Sequence, residues 1–248
     1  MKMKEYIWLK TWNALNYIYG LFMFGSRKRL SRLRNIHTGK RCFVIGNGPS
    51  LRKEDLQKLY ERGEYTFACN SLINLFEEMS FYPTYYFVQD NKVLLNNKEK
   101  ILQYKGNIFI KSHYAKRYHI PGATYYNMLF NENPIGFSHN IQNVVYSGQT
   151  VAYSMMQFAA YMGFKEIYLL GIDCNYSKNN TEITSDCYFD KKMFDPTKPH
   201  NPPEVDTMLK AFEQAKMTCE PLGIHIINAA RGGKLELFPR VDFDTLFD

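Results

Sequence analysis

The run Cys42-Phe43-Val44-Ile45 stops abruptly in Gly46-Asn47-Gly48-Pro49-Ser50-Leu51, and no other ten residues restrict the fold as much. Small, β-branched and aromatic residues without alternation are the composition of a strand covered on both faces. The two glycines can take positive φ and let a ligand approach the backbone, and Ser50 is placed to cap a following helix. In an α/β protein the crevice beyond the carboxyl end of a strand is where nucleotides sit. A phosphorylated small molecule is therefore expected at this loop. The loop lacks the third glycine of the dinucleotide signature and the Gly-Lys-Ser/Thr end of a P-loop, so neither NAD nor a kinase-type ATP site is supported. Taken alone, a Gly-x-Gly is as readily a plain structural turn.

A second segment strengthens the ligand reading. After Ser147-Gly148, residues 149–162 form an apolar stretch of helix length closed by Gly163 as a C-cap, and Lys165 to Asp173 read as another central strand ending in a glycine and a carboxylate. Further strands are expected near 64–69, 84–89, 107–110 and 224–228, with helices over 53–62, 71–79, 92–104 and 204–221. Such alternation predicts an α/β fold, a single Rossmann-like domain over 36–248, its mostly parallel sheet carrying helices on both faces. The irregular stretch 174–203, rich in Asn and Pro, has the length of a lid or binding loop.

At 248 residues and 45% hydrophobic content the chain can bury a substantial core. A formal charge of +7 suggests an anionic partner. Residues 6–24 are rich in Trp, Tyr, Leu and Phe, but Lys10, Asn13 and Asn16 make them a poor spanning helix. Arg27, Lys28, Arg29, Arg32 and Arg34 follow, so residues 1–35 are expected to form an amphipathic, basic helix lying on an anionic membrane; packing on the domain or a homo-oligomer contact is the alternative. The basic residues cluster there with no recognised module, which argues against nucleic acid. Five cysteines with no Cys-x-x-Cys pair indicate neither a zinc ribbon nor a disulfide framework, and point to a reducing cytosol with Cys42 and Cys69 as buried thiols. His225 lies in an apolar strand and is expected to be packed.

The ordered set Ile45-Gly46-Asn47-Gly48-Pro49-Ser50-Leu51, Cys69-Asn70, Ser147-Gly148 and Gly163 to Asp173 resembles the bacterial sialyltransferases of glycosyltransferase family 42. More loosely it resembles the hydroxymethylpterin diphosphokinase-like and motility-accessory-factor family. The resemblance implies that Asn47 and Asn70 contact the nucleotide or donor sugar and that Ser147 and Gly148 help hold the donor. It also implies that Tyr176 and Tyr188 bind the leaving phosphate and that His200 is the general base. Asp90 stands where the family places another donor-contacting asparagine, Val144 near its arginine, and Asn228 at a weakly matched asparagine. Gly46, Pro49, Ser50 and Asp173 complete the expected lining.

The chemistry is consistent with that resemblance. A sugar leaving cytidine monophosphate generates negative charge on a phosphate oxygen, which two phenol donors can stabilise without a metal. Histidine titrates near neutrality and suits removal of the acceptor's proton. The expectation is a metal-independent glycosyltransferase, without a cofactor, that moves a sialic-acid-like sugar from a CMP-sugar donor to a cell-surface glycan acceptor such as lipopolysaccharide or capsule. It would be cytoplasmic and peripheral to the inner face of the cell membrane. The alternatives are a pterin diphosphokinase-like enzyme using ATP, with magnesium on Asp90, Asp173 and Asp190, and a non-catalytic nucleotide-binding subunit of a glycan assembly complex.

Overall fold

The structure, a computed structural model, describes residues 4, 7, 10–15, 18, 24–114, 118–130, 134–175, 184–194, 197 and 204–248. Seven strands form one wholly parallel sheet: β1 (Arg41–Ile45), β2 (Thr66–Cys69), β3 (Tyr85–Val88), β4 (Asn107–Lys111), β5 (Thr124–Tyr126), β8 (Glu166–Leu170) and β9 (His225–Asn228). Two short strands, β6 (Met128–Leu129) and β7 (Val145–Tyr146), pair separately. The spatial order of the main sheet is β5-β4-β3-β2-β1-β8-β9, so its direction of winding reverses between β1 and β8. That reversal opens a crevice at the carboxyl ends of these two strands.

Both faces of the sheet are covered, which is why its strands read as continuous apolar runs. Cys42 and Val44 face one core, with Phe67, Phe87 and Phe109; Phe43 and Ile45 face the other, with Ala68, Tyr86 and Ile110. The first core is closed by α5 (Val151–Tyr161) and α6 (Val205–Cys219). The second is closed by α2 (Lys53–Glu61), by the 3-10 segment Asn70–Leu75 and by the C-terminal Phe243. Helix α5 is buried nearly all round, as its composition predicts. It ends on Gly163 at φ +91°, where the Phe164 N–H reaches Ala159 O at 3.2 Å and the Gly163 N–H reaches Ala160 O at 3.1 Å. This paired C-terminal closure needs a left-handed residue, and glycine takes it without a Cβ penalty.

Two expected helices take other forms. The stretch expected over 71–79 becomes the 3-10 segment Asn70–Leu75 followed by turns. Asn70 enters it at φ +49°, a geometry that does not start an α-helix. The helix expected over 92–104 divides into α3 (Asn91–Asn96) and α4 (Lys98–Gln103), because the Asn97 side chain bonds Val93 O at 3.0 Å and competes with the backbone. His225, expected to be packed, is exposed at the amino end of β9. Cys42 and Cys69 are buried, and burial pushes the Cys69 thiol up to about 12.

The described part of the amino-terminal segment packs on the domain. In α1 (Phe24–Ser31) the Ser26 hydroxyl accepts from the Tyr125 N–H at 3.0 Å and Arg29 donates to Ala123 O at 2.8 Å, which covers the β5 edge of the sheet. Residues 10–15 are helical; Asn13 exchanges hydrogen bonds with the Phe130 backbone and Trp12 meets His113 edge-on at 4.7 Å. Among the described residues no helix is long and apolar enough to cross a membrane.

Candidate active site

Beyond the carboxyl ends of β1 to β4 and β8 lies one cleft of about 840 Å³. Gly46 and Gly48 stand at its wall for a reason other than the expected one: neither has positive φ. The β1 loop lies directly against the β8 loop, with the Gly46 N–H on Leu170 O and the Gly48 N–H on Gly171 O, both at 2.8 Å. A Cβ on Gly48 would fall 2.7 Å from Asp173 Oδ2. The glycines therefore permit one loop to approach the other.

Asp173 is 5% exposed and binds this junction together. Its carboxylate accepts the Ser50 N–H at 2.7 Å and the Ser50 hydroxyl, and its backbone carbonyl accepts the Lys234 N–H at 2.6 Å. Ser50 does not cap α2, whose N-cap is Arg52 without a side-chain bond, and Ser50 lies off the cleft lining. Because Gly46 donates to the end of β8, Gly48 and Ser50 donate to the loop after it, and Pro49 has no N–H, these four residues form no backbone phosphate cradle. Ligand contacts from the loop then fall to Asn47.

Asn47 supplies such a contact. Its backbone carbonyl accepts the Phe189 N–H at 3.1 Å, while its Oδ1 is buried at the cleft without a hydrogen-bond partner. A buried unpaired acceptor costs about 1–3 kcal/mol, which a ligand donor would recover. Asn70 lines the same cleft, its Oδ1 accepting the Gln89 N–H at 3.2 Å. Asp90 also lines it and caps α3 through the Lys92 N–H at 2.7 Å. Ser147 is buried on the lining. It is held there by Gln157, whose Oε1 accepts from Ser138 and Tyr146 N–H groups and whose Nε2 donates to Tyr146 and Tyr153 carbonyls. Gly148, at φ +49°, is off the main cleft; a Cβ there would meet the Tyr153 ring and Ala211. Asn228 is buried elsewhere, bonding Leu235 O at 2.7 Å and the Ala230 N–H at 2.9 Å.

Of the expected catalytic residues, Tyr188 lines the cleft, and burial pushes its phenol up to about 12, so it is a neutral donor at physiological pH. Tyr176 and His200 lie outside the described residues. Residues 184–194 of the expected lid dock beside the β1 loop through the Phe189–Asn47 bond and through the Lys53–Asp190 pair at 2.9 Å and the Lys192–Glu78 pair at 2.8 Å. Asp190 therefore sits off the lining, while Asp173 is bound to Ser50 and Asp90 caps a helix. The three carboxylates considered for magnesium do not converge. Among the described residues no three His, Cys, Asp or Glu side chains gather as a metal site.

Sequence reasoning missed several lining residues. Lys111 ends β4 as Asp173 follows β8, so the rule applied to β1 and β8 would have found it. Gln149 and Cys174 carry left-handed backbones, φ +56° and +48°, and with Asn70 make three non-glycine residues of positive φ on one cleft. Each such conformation costs on the order of 1–3 kcal/mol and concentrates at functional sites.

Residues 20–179 match the family model described as 6-hydroxymethylpterin diphosphokinase MptE-like. The chain belongs to the MptE-like family. Comparison with curated proteins gives no match. Among solved structures the chain is similar to a MAf glycosyltransferase from Magnetospirillum magneticum AMB-1, with TM-score 0.58 and 15% identity over 86% of this chain. It spans 35% of that protein. It also matches the sialyltransferase CstII from Campylobacter jejuni, solved with cytidine-5'-monophosphate, with TM-score 0.45 and 17% identity over 82% of this chain and 85% of that one. The MptE-like domain shares the α/β fold of the MAf glycosyltransferase.

Proposed function

We propose that this MptE-like protein is a glycosyltransferase that transfers a sialic-acid-like sugar from a CMP-sugar to a glycan acceptor. The observation that carries the reading is the pairing, on one cleft, of the unpartnered Asn47 Oδ1 with the protonated Tyr188 phenol. The first suits a donor group of the nucleoside or sugar, and the second suits a phosphate oxygen that gains charge as the sugar leaves. Tyr176 is assigned to the same phosphate and His200 to the acceptor proton, with no metal in the step. His200→Ala should then lower turnover about 10²- to 10⁴-fold and leave CMP affinity intact. An unchanged rate removes His200 from the mechanism.

Family membership favours a second reading, diphosphate transfer from ATP with magnesium. A thermal-shift panel of CMP, CDP, UDP, GDP and ATP, each with and without magnesium, separates the two. Stabilisation by CMP without magnesium supports sugar transfer; stabilisation by ATP with magnesium alone overturns it.

The acceptor is assigned to a membrane-proximal glycan. Ile7, Leu15 and Ile18 are exposed, while Asn13 faces the domain through the Phe130 backbone. Lys28, Arg32 and Arg34 are exposed nearby in sequence. Together they suit an anionic membrane surface. Changing Ile7, Leu15 and Ile18 to Asn in the full chain should abolish flotation with anionic vesicles, and equal flotation would refute the anchor.

A further inference from the structure

Lys111 is the one buried lysine among the described residues, and it lines the cleft. It closes β4 on the face of Phe109, where the apolar core meets the cavity, and its ammonium stands 4.9 Å from the centre of the Phe130 ring. Burial lowers its pKa to about 8, with the charge of Asp90 opposing that shift, so the group is mainly cationic at neutral pH. The other lysines on the lining, Lys92, Lys100 and Lys192, are half-buried or exposed. A charge kept in a poorly hydrated place interacts much more strongly with a counter-charge than one in water does.

Position adds a second constraint. Strand β4 lies three places from β1 in the sheet, and at about 4.8 Å per strand this puts the end of β4 about 14 Å from the β1 loop. A nucleotide contacting Asn47 leaves the Lys111 end of the cleft to whatever lies beyond it.

We propose that Lys111 is a specificity-determining residue that receives an anionic group of the substrate, a carboxylate or a phosphate, at the end of the cleft remote from the β1 loop. This inference rests on the sugar-transfer reading for the identity of the ligand and on the β4 geometry for its charge. The anion has two possible sources: the carboxylate of the donor sugar or a phosphate on the acceptor glycan.

The test is isothermal titration of the full chain and of its Lys111→Met and Lys111→Gln variants with two ligand pairs. The first pair is CMP and CMP-N-acetylneuraminic acid; the second is galactose and galactose 6-phosphate. In wild type one charged ligand should bind more tightly than its pair partner. Both variants should lose roughly ten- to a hundredfold in affinity for that ligand, with CMP affinity unchanged as the control for folding. Loss confined to CMP-N-acetylneuraminic acid assigns the donor carboxylate; loss confined to galactose 6-phosphate assigns the acceptor. Variants that bind all four ligands as wild type does overturn the proposal, as does a wild type with no preference in either pair. If wild type binds ATP with magnesium and not CMP, the sugar-transfer reading fails, and the galactose pair still decides on Lys111.

Discussion

The carboxyl edge of the sheet has two halves that treat buried polar groups in opposite ways. Past β9, Arg231 grips the buried Asp55 through two of its three guanidinium nitrogens, Nη2 at 2.8 Å and Nε at 2.9 Å, and holds Asp244 at 2.8 Å. Asn228 beside it has partners on both side-chain atoms. Across β1 to β4 the pattern reverses. Asn47 Oδ1 is unpaired, Lys111 is buried on the lining, and Asn70, Gln149 and Cys174 hold left-handed backbones on the same cleft. In one half the fold pairs these groups itself; in the other the unpaired Asn47 Oδ1 and three left-handed backbones are costs borne at the cleft. The difference makes the cleft half the place to look for a ligand.

Substitutions should separate the halves. Replacing Arg231 with Met strands the Asp55 carboxylate, and chemical denaturation should report a loss of about 3–5 kcal/mol, with CMP affinity in the surviving folded fraction unchanged. A loss under 1 kcal/mol would dissolve the contrast. Gly48→Ala pushes a methyl into Asp173 and the Gly171 carbonyl, so about 2–3 kcal/mol of stability and CMP binding should fall together.

Lys111→Met should do the opposite and raise stability by about 1–2 kcal/mol at pH 7. The folded pKa of Lys111 is lowered to about 8, with Asp90 and His113 nearby in charge. Between pH 8 and the ordinary value of 10.5 the unfolded chain therefore binds more protons, and wild-type stability gains on the variant's as pH rises through that window. Parallel curves would show that Lys111 is not charged at a cost. The smallest stability change is expected for Asn47→Ala, a gain of about 1 kcal/mol, because the substitution removes a buried acceptor that has no partner. CMP affinity should nonetheless drop about tenfold; unchanged affinity would make Asn47 part of the scaffold.

The strands of the main sheet were legible where four or more apolar residues run together, as at 42–45 and 167–170. Strand β5 and the β6–β7 pair were not, since two or three residues such as Thr124–Tyr126 carry no period. Within the site, Asn47, Asn70, Asp90, Ser147, Asp173 and Tyr188 were read in advance, and the structure brings all six to one cleft. Two neighbours sit in surroundings other than those expected. Ser50 looked like a helix cap and is a partner of Asp173, 123 residues away in the chain. Gly148 looked like a donor contact and accommodates Tyr153 and Ala211.

Local pattern alone determined that this chain builds a parallel sheet buried on both faces, and that its β1 and β8 strands end in glycine-bearing loops, because strand burial and chain breaks are written in neighbouring residues. Only the tertiary structure decided what those loops do. Whether a glycine serves a ligand or a neighbouring loop, whether a carboxylate is open or engaged, and whether a lysine is wet or dry depend on groups far apart in the chain. Those groups become neighbours when the winding of the sheet reverses between β1 and β8.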